Sequence, residues 1–87
     1  MSLLDNIHNY YETLVIESLA KQVKGLDLEQ DALIDVICVA LNQLTPRYIR
    51  YEVDMVYFTT TGEMQELRDK ADKAVSSALE SVKSGKR

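Results

Sequence analysis

Leu4, Ile7, Tyr11, Leu14, Val15 and Leu19 recur at three- and four-residue steps, while Asn6, Asn9, Thr13 and Glu17 lie off their stripe. That pattern predicts an amphipathic helix over residues 5–23. Asp5 is its candidate N-cap and Gly25 its stop, with Lys21 and Lys24 suited to the last turn. A second helix is predicted over residues 28–44, with Asp27 as N-cap and Gln30 at capping-box spacing. Leu33, Val36, Ile37, Ala40, Leu41 and Leu44 form one broad apolar face, and Ile34, Cys38 and Val39 carry it around most of the circumference. A helix so apolar is expected to be buried on most sides, as the centre of the core. Thr45-Pro46 ends it, because Pro46 lacks a backbone N–H and disfavours helix at the residue before it.

The period then changes. Over residues 48–58, Ile49, Tyr51, Val53, Met55 and Tyr57 alternate with Arg50, Glu52 and Asp54, which predicts a strand. A third helix is predicted over residues 62–82, where Thr60 and Glu63 have capping-box spacing. Met64, Leu67, Ala71, Ala74, Ala78 and Val82 make a narrow, heptad-like seam on it. Glu66/Lys70 and Asp69/Lys73 are favourable i,i+4 pairs on its outer face.

The expected architecture is therefore one mostly α domain, residues 1–87, with three helices and one strand between the second and third. No second strand-like segment exists to satisfy that strand, so its partner is expected to be a two-fold copy in a homodimer. Size points the same way, since a chain of 87 residues buries only ~60–65% of its unfolded surface and gains most from association.

Charge and composition narrow the chemistry. The net charge is −4, and it divides into −5 over residues 1–44 and +1 over residues 45–87. An acidic front half disfavours generic DNA or RNA binding, yet leaves room for a small anion held by a few arginines. No apolar run reaches the ~20 residues that span a bilayer, and no signal-peptide arrangement opens the chain, so it reads as cytoplasmic and not membrane-bound. His8 is the only histidine and Cys38 the only cysteine; neither has a catalytic partner in the sequence, and Cys38 reads as a buried packing residue. Asp35 and Asn42 share a face of the second helix, as a solvated stripe or as bonds to backbone or a partner chain. The glycines at 25, 62 and 85 are too scattered to cradle a phosphate, and no enzyme activity or cofactor is indicated.

Pro46-Arg47-Tyr48-Ile49-Arg50-Tyr51 carries the most suggestive chemistry. Strand alternation places Tyr48 and Arg50 on one face, Arg47 and Tyr51 on the other. Arginine forks grip phosphate or the O6/N7 edge of guanine, and tyrosines stack on bases. The plainer reading is that tyrosines are good strand residues and arginines cover their edges. Arg47, Tyr48 and Arg50 are the candidate ligand-binding residues.

Two segments resemble a known family. Asn9-Tyr10-Tyr11-Glu12-Thr13-Leu14-Val15 resembles the N-x-x-E-x-L-V start of the late competence development protein ComFB family. Asp35-Val36-Ile37-Cys38-Val39-Ala40-Leu41-Asn42-Gln43-Leu44-Thr45-Pro46-Arg47-Tyr48 resembles its D-V-x-x-x-A-L-N-x-L-P-P-x-Y block, with Thr45 in place of the first proline. The resemblance spans roughly residues 5–60, and of the three candidate residues only Tyr48 belongs to the motif. The cysteine cluster associated with zinc in many members is absent, and Lys24–Asp31 occupies its place, so no metal site is expected. The resemblance implies a small, mostly helical homodimer. Cyanobacterial members are receptors for cyclic di-GMP, and others are known from competence operons without an enzymatic role. Two expectations follow: a non-catalytic dimeric receptor for a cyclic dinucleotide, or a dimeric protein–protein adaptor with no small ligand that uses the third-helix seam.

Overall fold

The computed structural model describes residues 3–85. After a 3₁₀ turn at Leu3–Asn6 come β1 (His8–Asn9), α1 (Tyr10–Gln22), α2 (Gln30–Asn42), β2 (Tyr48–Ile49), α3 (Glu52–Phe58) and α4 (Thr61–Lys83). There are thus four α-helices among the described residues, where the hydrophobic pattern predicts three. Residues 1–2 and 86–87 lie outside them.

The last helix forms close to its predicted span because its signals are local. Thr60 Oγ1 accepts the Glu63 N–H at 3.1 Å and its hydroxyl donates to Glu63 Oε1 at 3.2 Å. The Thr60–Glu63 pair thus holds the first turn, where the helix's own N–H groups lack partners. The alanine seam is consumed inside the chain. Ala71, Ala74 and Ala78 are buried with Val75 and Leu79, and α4 packs along both α1 and α2. Short side chains let the helices approach closely, and Tyr11, Leu14, Val15 and Leu19 of α1 fill the space with Val36 and Ala40 of α2. The middle of the core therefore belongs to α4, not to α2.

Four local expectations are corrected. The first helix begins at Tyr10, with Asn9 as its N-cap rather than Asp5; Leu4 and Ile7, expected on its apolar stripe, are exposed. The second begins at Gln30 after Glu29, which makes no side-chain cap, so Asp27 does not serve. Cys38 is exposed rather than packed, and Ile34 is 53% exposed one turn before it. In one chain α2 has neighbours on one side only, so the far side of its apolar surface stays open. Gly25 does mark the stop after α1: it sits at φ +81°, the left-handed region that favours glycine.

The fourth correction is the strand. Only Tyr48–Ile49 forms a strand, and its partner is the chain's own β1, antiparallel, with His8 opposite Ile49 and Asn9 opposite Tyr48. Residues 52–58 are helical. A helix satisfies its backbone from within, whereas beyond Ile49 the antiparallel register would need Ile7 and Asn6 as partners, and Leu3–Asn6 is a 3₁₀ turn whose Leu4 carbonyl already takes the Ile7 N–H. An 11-residue strand over 48–58 would leave most of its ladder unpaired. Glu52 and Asp54 in the first turn also suit the positive end of a helix.

Candidate functional site

Asn9 positions the corner that carries the candidate residues. Its Oδ1 accepts the Tyr11 N–H at 3.2 Å, capping α1, and the Arg47 N–H at 2.8 Å. The Tyr10 N–H in turn donates to the Arg47 carbonyl at 2.7 Å. One short amide side chain thus starts a helix and clamps the turn after Pro46, and the β1–β2 pair extends the clamp by placing Tyr48 across from Asn9. The first residue of one sequence block and the last residue of the other meet here. Asn9→Ala is expected to cost about 1–3 kcal/mol, for a lost cap and an orphaned Arg47 amide, read as a lower urea midpoint with unchanged slope.

Glu52 ties α3 to the same region. Thr13 Oγ1 donates to Glu52 Oε1 at 3.2 Å, and His8 Nε2 lies 3.7 Å from that oxygen. Thr13 therefore bonds the carboxylate and not the imidazole. Asn42 Nδ2 contacts Cys38 Sγ at 3.7 Å on the exposed side of α2, and no group of three or more His, Cys, Asp or Glu side chains converges among the described residues.

The corner itself is open. Tyr48 is 64% and Tyr51 54% exposed, and Arg47 and Arg50 are exposed too. The Arg50 guanidinium carbon lies 5.1 Å from the centre of the Tyr51 ring, a cation–π arrangement. Alternation had put those two side chains on opposite faces; they meet because the strand ends at Ile49 and the chain bends at Arg50. Neither Arg47 nor Arg50 has a carboxylate within 4 Å among the described residues. Tyr10 and Tyr11 at the base of the corner hold their protons more tightly than usual. Burial is the main cause in both; Glu17 adds to it at Tyr10, and Arg47 opposes it at Tyr11. Both are neutral phenols throughout the range below their ordinary pKa.

Asn9 is the functional side chain that periodicity missed. Its signal was present, an asparagine one residue before a helical stripe, but Asp5 offered a competing cap. Comparison with known proteins adds one finding. No curated protein and no solved structure matches the chain. The family model for late competence development protein ComFB matches residues 8–86, which takes in β1, the corner and all of α4, and by that match the chain belongs to the ComFB family.

Proposed function

We propose that this protein is a non-catalytic, dimeric regulatory receptor for a cyclic dinucleotide, cyclic di-GMP, acting in competence or a related pathway. The family's name supports the regulatory setting. The observation that carries the ligand is the pair of arginines, Arg47 and Arg50, without carboxylate partners beside exposed Tyr48 and Tyr51 on a turn clamped by Asn9. A cyclic dinucleotide has two phosphates and two guanines, which call for cationic forks and flat stacking surfaces. Arg50 already lies over an aromatic ring, so little reordering is needed to present both. A two-fold ligand also suits a two-fold dimer, in which the corner occurs twice.

Isothermal titration with cyclic di-GMP tests this. Arg47→Ala and Arg50→Ala are each expected to weaken binding about thirty- to a thousand-fold. Arg68→Ala removes the same charge from a site lined by Leu14, Glu17 and Asp72, and is expected to cost much less. No heat with the wild type removes the receptor reading; equal losses in all three variants point to general charge.

A second reading, an adaptor with no small ligand, is favoured by one observation. Val56, Tyr57 and Phe58 of α3 are 73%, 77% and 82% exposed. The α4 seam no longer serves that reading, because α1 and α2 cover it.

A further inference from the structure

Lys70, Lys73, Ala74 and Ser77 fall on one side of α4 by their spacing. With Tyr11, Gln43, Leu44 and Thr45 they line an open cleft of about 520 Å³ between α4, the start of α1 and the turn that leads out of α2. The volume lies within the ~300–1,000 Å³ of small-molecule sites. No acidic side chain lines it. The sequence pairs Lys70 with Glu66 and Lys73 with Asp69, but among the described residues neither ammonium has a carboxylate within 4 Å. Asp69 instead accepts the Gln65 side-chain amide at 2.9 Å.

Arg47 follows Thr45 by two residues, and its backbone is held by Asn9 and Tyr10 just before Tyr11, so a third cation stands beside the cleft. Two lysines on one side of a helix repel each other, and neither they nor Arg47 has a carboxylate within 4 Å among the described residues. In a protein of net charge −4 this is a local reversal of sign. Tyr11, Thr45, Ser77 and Gln43 add hydroxyl and amide groups that can donate to an anion.

We propose that this cleft holds a phosphate or phosphodiester group of an anionic ligand, bound by Lys70 and Lys73 with Arg47 shared between the cleft and the Arg47–Tyr51 corner. This deepens the receptor reading and rests on it for the full ligand, since it makes the cleft the phosphate end of a site whose stacking surface is Tyr48 and Tyr51. The anion site itself is testable without that ligand.

Amide NMR spectra are followed with inorganic pyrophosphate and, separately, with cyclic di-GMP. The proteins are the wild type, the double variant Lys70→Gln/Lys73→Gln, and Lys21→Gln, which removes a cation paired with Asp72 at 3.6 Å. Glutamine is a good helix former, and both replaced lysines are exposed, so the double variant keeps its fold. Pyrophosphate is expected to shift amides at residues 43–45 and 70–77 in the wild type and in Lys21→Gln but not in the double variant. Cyclic di-GMP affinity is expected to fall about ten- to a hundred-fold in the double variant and to change less than two-fold in Lys21→Gln. Pyrophosphate shifts at the cleft with no response to cyclic di-GMP would keep the anion site and remove the receptor reading. Cyclic di-GMP binding at the corner that the double variant leaves intact would keep the receptor and overturn the cleft. Equal losses in Lys21→Gln, or no shift with either anion, would overturn it as well.

Discussion

Val75→Asp is expected to abolish the folded state. Val75 is 0% exposed on α4, within an apolar cluster that includes Val15 and Leu19 of α1 and Val36 and Ala40 of α2. No described cluster member offers a cation to pair with a carboxylate there. An unpaired buried carboxylate costs several kcal/mol or takes up a proton, and the lost valine packing adds about 1–2 kcal/mol. A domain of this size has only about 5–10 kcal/mol to lose. Circular dichroism and thermal melting decide the outcome, with Ser76→Asp as the control. Ser76 is the next residue and exposed, so the same charge there should move stability by no more than about 0.5 kcal/mol. A Val75→Asp protein that melts cooperatively near the wild-type temperature would show that α4 does not centre the core.

Tyr57→Glu/Phe58→Glu is expected to turn a dimer into a folded monomer. Tyr48, Tyr51, Val53, Val56, Tyr57 and Phe58 are each more than half exposed, within eleven residues of chain. At about 150–250 Å² per aromatic side chain, they leave roughly 700 Å² of largely apolar surface uncovered. A standard interface buries about 800 Å² per partner, so a second copy seated on this surface would match what a stable dimer needs. Two charges at its most exposed positions should weaken association about a thousand-fold or more, as loss of central aromatic anchors does. Light scattering with gel filtration should give about twice the 9.9 kDa chain mass for the wild type and the single mass for the variant. The variant's helix content should not change, because neither side chain is part of the core. A wild type that runs as a monomer at tens of micromolar would sink the idea. A variant that stays dimeric would move the interface elsewhere, first to the open side of α2 at Ile34 and Cys38.

The two predictions differ in how far each was legible without coordinates. Part of the buried side of α4 follows from its spacing: Ala71, Ala74 and Ala78 lie on the predicted seam and the Thr60–Glu63 cap starts the helix where the residues say it should, whereas the buried Val75 and Leu79 lie off that seam. Helix caps and the helical period are short-range properties, set within four residues, and at α4 both can be read from the sequence, whereas Asp5 and Asp27 misplace the starts of α1 and α2. The α3 surface could not be read in this way. Residues 49–55 alternate at the period of a strand, and only Val56 and Phe58 depart from it before the segment ends.

What decides the segment is how much partner it has. In the antiparallel register Arg50 would face Ile7, but Leu3–Asn6 is a 3₁₀ turn whose Leu4 carbonyl takes the Ile7 N–H, so the ladder closes at Ile49 and the remaining backbone finds its hydrogen bonds only by coiling. That outcome brings Arg50 onto Tyr51, turns Tyr57 and Phe58 outward, and draws Glu52 back to Thr13. Lys70 and Lys73 follow the same rule. Their acidic neighbours at i−4 are visible in the chain, but whether an ion pair closes depends on what else stands within reach of each side chain. The sequence by itself determined the long helices, their seams and the family motif. The tertiary structure alone decided the register of β1 with β2, the helical state of residues 52–58 and the grouping of cations beside Tyr11, because each depends on contacts between residues far apart in the chain, which no local period encodes.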